Sequence, residues 1–152
     1  FMGQDFGQLR EWSEEREIDW FLLQEEPHRK LQEYYADLLT IYKKYPALYA
    51  MDNDPSGFEW INADDGDRSI FSFVRKSPTG RNNILYVVNF TPVDRPDYRV
   101  GVPKKKQYKQ IMDENGLLTE PKTFKAEKQE CDNRPFSFAY PLPAYGVAVF
   151  TY

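Results

Sequence analysis

Two acidic turns are the first places in this sequence where chemistry could be assembled. Asp52, Asp54 and Gly57 are spaced like the opening of a calcium loop, in which alternate oxygen ligands ring a hard cation. The fit fails at the twelfth position, where Ala63 stands in place of a bidentate Glu, so the stretch reads as a backbone turn. Asn62, Asp64, Asp65 and Asp67 form the second cluster, of a composition that hairpin turns ordinarily carry. His28 is the only histidine, which leaves no multi-histidine metal site and no histidine-based triad to build. Cys131, in a polar stretch without a neighbouring histidine, carries no nucleophile signature, and a single cysteine makes no internal disulfide. No cofactor is implied. Asp5, flanked by Gln4 and Gln8 and set between Gly3 and Gly7, is a carboxylate in a loop, where short side chains commonly bond local backbone N–H groups.

The elements that must position these groups are legible from periodicity. In the stretch from Asn83 to Pro92, Ile84, Tyr86, Val88 and Phe90 share one face of a strand, and Leu85 and Val87 share the other. With apolar groups on both faces, that strand belongs in the middle of a sheet, and Pro92 marks where pairing stops. Leu31, Tyr34, Tyr35, Leu38, Ile41, Tyr42 and Tyr45 recur at spacings of three and four, which predicts a helix over residues 27–44 with one apolar stripe. Pro27 suits its first turn and Pro46 ends it. After the turn at residues 52–57 the period becomes strand-like, with strands expected at 58–61, 69–75, 84–91, 98–102, 107–112, 122–126, 136–139 and 146–152. Residues 113–135 have no clear period. Short strands separated by such turns predict a β-sandwich.

Composition sets outer limits. A chain of 152 residues fits one ordinary domain. A net charge of −4 offers no electrostatic basis for binding nucleic acid or an anionic membrane, and residues 104–106 form the only basic run. No run has the length of a bilayer-spanning helix and no signal peptide is visible, so the expected location is cytoplasmic. The chain opens on Phe1, which points to a longer parent polypeptide.

Taken together, FMGQDFGQ at residues 1–8, Arg10-Glu11-Trp12, Ile18-Asp19-Trp20 with Leu22-Leu23, and NFTPVDRPDYRVGVP at residues 89–103 closely resemble the C-terminal portion of bacterial 1,4-α-glucan branching enzymes, members of the α-amylase superfamily. The resemblance implies a mainly β fold with an N-terminal helical segment. Residues 1–50 would be the end of strand eight, the following loop and the last helix of a (β/α)8 barrel; residues 51–152 would be its C-terminal antiparallel β-sandwich. The chain departs from the family where Asn115-Gly116-Leu117-Leu118 and a lysine-rich stretch replace a glycine-rich segment. The reaction implied for the parent is a retaining transfer that cleaves α-1,4 links and forms α-1,6 branches in glycogen, which requires two carboxyl groups about 5 to 5.5 Å apart. The family's acidic trio lies on earlier barrel strands, so no catalytic residue is carried over and this chain by itself is expected to be inactive.

The resemblance places Gln4, Asp5 and Gln8 near substrate, because loops after barrel strands build the active face; for Asp5 the backbone-bonding role competes with that one. Sugar rings stack on flat aromatic side chains, and Trp60, Tyr98, Tyr108 and Tyr140 are candidates by position. At Trp60, which alternates with Phe58, core packing is the expected role, whereas Tyr98 and Tyr108 are the candidates for stacking α-glucan. Two other identities remain open: a carbohydrate-binding module, or a structural domain of another α-amylase-superfamily enzyme. Phe1, Met2, Phe6, Trp12, Trp20, Phe21 and Leu22 form an apolar arm through which the chain is expected to self-associate, or which is expected to fold onto the sandwich.

Overall fold

In the computed structural model, which describes all 152 residues, the strand expected to be central is central. Strand β3 (Ile84–Asn89) pairs antiparallel with β2 (Ile70–Arg75) on one side and β9 (Val147–Thr151) on the other. Beyond β2 lies β1 (Phe58–Asp65), and beyond β9 lie β5 (Gln107–Asp113) and the short β6 (Gly116–Leu117), with β7 (Thr123–Lys125) also on β5. This seven-stranded sheet is one layer. The other is a two-stranded ribbon of β4 (Arg95–Val102) and β8 (Phe136–Leu142). The expected sandwich is present, and several strands run longer than predicted: β1 extends past residue 61 to Asp65, β4 begins at Arg95 instead of residue 98, and β8 extends past residue 139 to Leu142.

The core between the layers draws alternate residues from both. Leu85 and Val87 of β3, Val74 of β2, Val100 and Val102 of β4, Phe138 and Leu142 of β8 and Phe150 of β9 are all buried. Aromatic rings fill the centre: Phe138 contacts Tyr108, Phe124 and Phe150 at centroid separations of 5.2 to 5.6 Å. Burying a side chain of this size stabilises by about 1.5–3 kcal/mol, so the cluster dominates the stability of residues 42–152. That segment is one of two compact units; the other is residues 1–41.

In residues 1–41, Gly3 and Gly7 adopt φ of 86° and 69°, angles open to glycine, and bracket a 3-10 turn at Gln4–Phe6. Phe6 is fully buried and its ring sits 5.5 Å from that of Trp20, which begins a second 3-10 turn at Trp20–Gln24. Helix α1 (Glu26–Lys44) starts where Pro27 predicted and stops before Pro46. Its apolar stripe exists, but Leu31, Tyr35, Leu38 and Tyr42 are each exposed by more than a third. Periodicity identifies a helix face without saying what covers it.

Candidate functional site

The loop that carries Gln4, Asp5 and Gln8 is held by its own side chains. Gln8 accepts the backbone N–H of Asp19 through Oε1 at 2.7 Å and donates from Nε2 to the Arg10 carbonyl at 3.0 Å, tying two loop segments together. Asp5 accepts a hydrogen bond from Gln32 Nε2 on α1 at 3.3 Å, and His28 Nδ1 donates to the Phe6 carbonyl at 2.6 Å, which fixes the tautomer that carries its proton there. Asp19, only 5% exposed, pairs with the Arg10 guanidinium; that hydrogen bond holds its carboxyl below the usual range against the opposing pull of burial. Phe1, Met2, Gln4, Gln8, Leu9, Arg10, Glu11 and Trp12 line a cavity of about 390 Å³ over this loop. Asp5 therefore bonds a side chain of α1, a third arrangement beside the two expected of it. The loop supplies shape and hydrogen-bonding groups, and its two central carboxylates, Asp5 and Asp19, are already engaged.

The metal-like turns serve the backbone. Asp54 accepts from the Ser56 N–H at 2.8 Å, capping the 3-10 turn at Pro55–Gly57, and this hydrogen bond lowers its pKa. Asp52 pairs with Arg75. No three carboxylate, imidazole or thiol groups converge as a metal cage would require. Burial pushes the Cys131 thiol up to about 11, and its Sγ donates to the Arg99 carbonyl at 3.3 Å, the opposite of an activated thiolate.

The aromatic expectations are corrected by burial. Tyr108 is fully buried, its hydroxyl donating to the Lys104 carbonyl at 2.9 Å and its ring stacked on Phe138. Tyr98 is 5% exposed. Neither ring has a free face, so neither stacks a sugar; both lie on the inner side of their strands, where alternation turns them into the core. Tyr140 is likewise buried and accepts from Gln110 Nε2 at 2.8 Å. Trp60 is reversed in the other sense: instead of entering the core it stands 48% exposed on the outer face of β1. There it joins Phe58, Phe71, Phe73, Tyr86 and Phe90 in a continuous chain of ring contacts across three strands. The sequence signal was aromatic residues two apart on successive strands, Phe58 with Trp60 and Phe71 with Phe73, visible only once the register set Trp60 opposite Phe73 and Phe73 opposite Tyr86.

Comparison with known proteins places these features in a lineage. Residues 60–152 match the family described as alpha amylase, C-terminal all-beta domain. A 1,4-alpha-glucan branching enzyme GlgB of Butyrivibrio fibrisolvens is 49% identical across the whole chain, which covers 25% of that enzyme. One of Aquifex aeolicus is 40% identical over 97% of the chain and 24% of its own length. The chain thus spans about a quarter of the curated relatives it matches. Among solved structures, pullulanase type I of Bacillus subtilis superposes with a TM-score of 0.60 over 89% of the chain and 17% of its own, at 13% identity, a likeness of fold.

Proposed function

From the premise that this chain belongs to the family of α-amylase C-terminal all-β domains, and that its relatives over the full length are 1,4-α-glucan branching enzymes, we propose that it serves as the C-terminal part of such an enzyme. In this reading residues 1–50 complete a (β/α)8 catalytic barrel and residues 51–152 form the sandwich that follows it. The parent cleaves α-1,4 links and rebuilds them as α-1,6 branches in glycogen, while this part is structural and guides α-glucan chains. The observation that carries the reading is 49% identity over the whole chain with a 1,4-alpha-glucan branching enzyme.

The loop geometry supports a role for Gln4, Asp5 and Gln8 in shaping the substrate-facing surface of that barrel. Gln8 acts as a brace between Arg10 and Asp19, and Asp5 is oriented by Gln32. The exposed rings of Trp60 and Phe90 offer the flat surface that buried Tyr98 and Tyr108 do not. A cytoplasmic location belongs to the same proposal and is supported by a lone, half-buried cysteine. So does self-association of this chain through Phe1, Trp12, Trp20 and Phe21, all 43% exposed or more, whereas Phe6 and Leu22 of the same arm are already covered.

A full-length protein carrying this segment, incubated with amylose, is expected to lower the iodine colour and to yield α-1,6 links by proton NMR without releasing free sugar. Release of short free sugars without new branches would reject the reading in favour of a hydrolase.

A further inference from the structure

The two compact units of the chain differ in charge. Residues 1–41 carry ten acidic and four basic side chains, a net −6, and residues 42–152 carry fourteen acidic and sixteen basic, a net +2. The positive surplus gathers in one place. Lys104, Lys105 and Lys106 form the turn into β5, Lys109 lies on β5, Lys122 precedes β7 and Lys125 ends it, and all six are exposed. In sequence these are two separate stretches, and the register joins them. β5 pairs with β7 as Lys109 opposite Thr123 and Gln107 opposite Lys125, which sets Lys109 and Lys125 on one face as diagonal neighbours. Backbone hydrogen bonds from Ala126 to Lys106 at 3.0 Å and from Gln110 to Lys122 at 2.8 Å carry the pairing further at both ends. Tyr108 and Phe124, which alternate with these lysines, are turned into the core, so Lys109 and Lys125 face away from it.

No ion pair within the chain neutralises this face. The eight ion pairs of the fold include none of the six lysines. Lys106 rests its ammonium 5.7 Å from the centre of the Tyr152 ring, and Glu127, just past β7, turns to Arg99 at 3.8 Å. Lysine on a free sheet edge deters unwanted strand pairing, and Lys125 on the three-residue β7 serves that end. Lys109 is on no edge, since it pairs with Thr151 of β9 on one side and Thr123 of β7 on the other. Edge protection therefore leaves Lys109 and the 104–106 turn without an account, while like charges set side by side on a ladder weaken it.

The negative surplus is open in the same way. Glu11, Glu14, Glu15 and Glu17 are exposed, and none of the four enters an ion pair. Arg16, the cation among them, gives its guanidinium to the Glu11 carbonyl oxygen. Trp12 stands between Glu11 and Glu14, 43% exposed. Carboxylates around an open indole suit ammonium groups twice over, since each carboxylate accepts a charge-assisted hydrogen bond and the ring face attracts a cation. A nucleic acid matches the lysines less well: Tyr108 and Phe124 beside them are turned into the core and offer no base a face to stack on, and the chain as a whole is negative. We propose that the lysine face of β5 and β7 receives residues 11–17 of a second copy of this chain. The inference rests on the self-association proposed above and adds the surface that takes up the arm. Exposed ion pairs are individually weak and screened by salt, so several charges acting together make this a reversible, salt-sensitive contact.

The test is sedimentation velocity of the 152-residue chain over a concentration series at about 20 mM and about 500 mM sodium chloride, between which the screening length falls from about 20 Å to about 4 Å. Two variants reverse the charges: Lys105→Glu/Lys109→Glu/Lys125→Glu on the sandwich, and Glu14→Lys/Glu15→Lys/Glu17→Lys on the arm. All six positions are exposed, and unchanged circular dichroism checks that both variants fold. Association is expected at low salt, weaker by about tenfold or more at high salt, and lost in each variant alone. An equimolar mixture of the two variants is expected to associate again, because each then meets the opposite charge. Association that persists in both variants and at high salt, and is lost in Phe1→Ser/Phe21→Ser, would overturn the lysine face and leave self-association through the apolar arm standing. Association lost in both variants and not restored by mixing them would overturn the pairing of the two stretches. Association lost on charge reversal and kept in Phe1→Ser/Phe21→Ser would uphold the inference and reject the apolar contact. A monomer under every condition would overturn both, and the amylose assay of the parent decides the branching-enzyme reading independently.

Discussion

The two faces of the seven-stranded sheet are built from nearly the same residue types and have opposite fates. On the inner face Leu85, Val87, Val74 and Phe150 are wholly buried against the β4–β8 ribbon. On the outer face Phe58, Trp60 and Phe90 are 38%, 48% and 63% exposed, although each touches other rings. The difference teaches that ring-to-ring contact is not burial. The outer rings lean on one another and stay half-wet, so they remove from water roughly half the area that an inner ring does, and contribute a correspondingly smaller share of the stability.

The inner face is broken most completely by alkali. Burial raises Tyr98, Tyr140 and Tyr152 to about 12 and Tyr108 higher still, against an unfolded value near 10. Below pH 10 these tyrosines are protonated in both states and their contribution is fully present. Between pH 10 and 12 the unfolded chain releases protons that the folded chain retains, so stability falls with rising pH. Absorbance of phenolate at alkaline pH is expected to show these four inner tyrosines titrating only together with loss of the near-ultraviolet circular dichroism, after the exposed ones; independent early titration of all eleven would mean an open core.

Next in size is Phe150→Ala, which empties the centre of the ring cluster and is expected to cost about 3–5 kcal/mol in urea unfolding. Gly101→Ala is expected to cost about 1–3 kcal/mol by driving a methyl group into the backbone of the 131–134 hairpin, and a neutral result would show that this hairpin lifts freely. Tyr140→Phe leaves Gln110 Nε2 buried without its acceptor, for a similar loss of about 1–3 kcal/mol. The smallest effect sharpens the contrast: Phe90→Ser on the outer face is expected to stay within about 0.5 kcal/mol of the parent chain. A loss matching that of Phe150→Ala would erase the distinction between the faces.

Much of the architecture was open to reading before any coordinates. The β3 strand, the helix between Pro27 and Pro46 and most strands of the sandwich follow from period and punctuation, because apolar spacing and proline geometry act locally along the chain. The candidate sites were read less well. Tyr98 and Tyr108 looked available and are buried, Trp60 looked buried and is half exposed, and Asn62 and Asp65 looked like ordinary turn residues. In each case the deciding fact is which way a side chain faces, and a period of two leaves the choice of face to the register.

What the amino-acid order alone determined is the set of elements and the lineage they belong to, since both reside in local spacing and in motifs that keep their order. What the tertiary structure decided is orientation. Two extra residues in β1 turn Asn62 and Asp65 inward, and a left-handed pair at Asp132 and Asn133 brings a carboxylate to Asn62 from seventy positions away. A bulge is a property of two paired strands and a long-range contact is a property of a closed fold, so neither exists until the layers have come together.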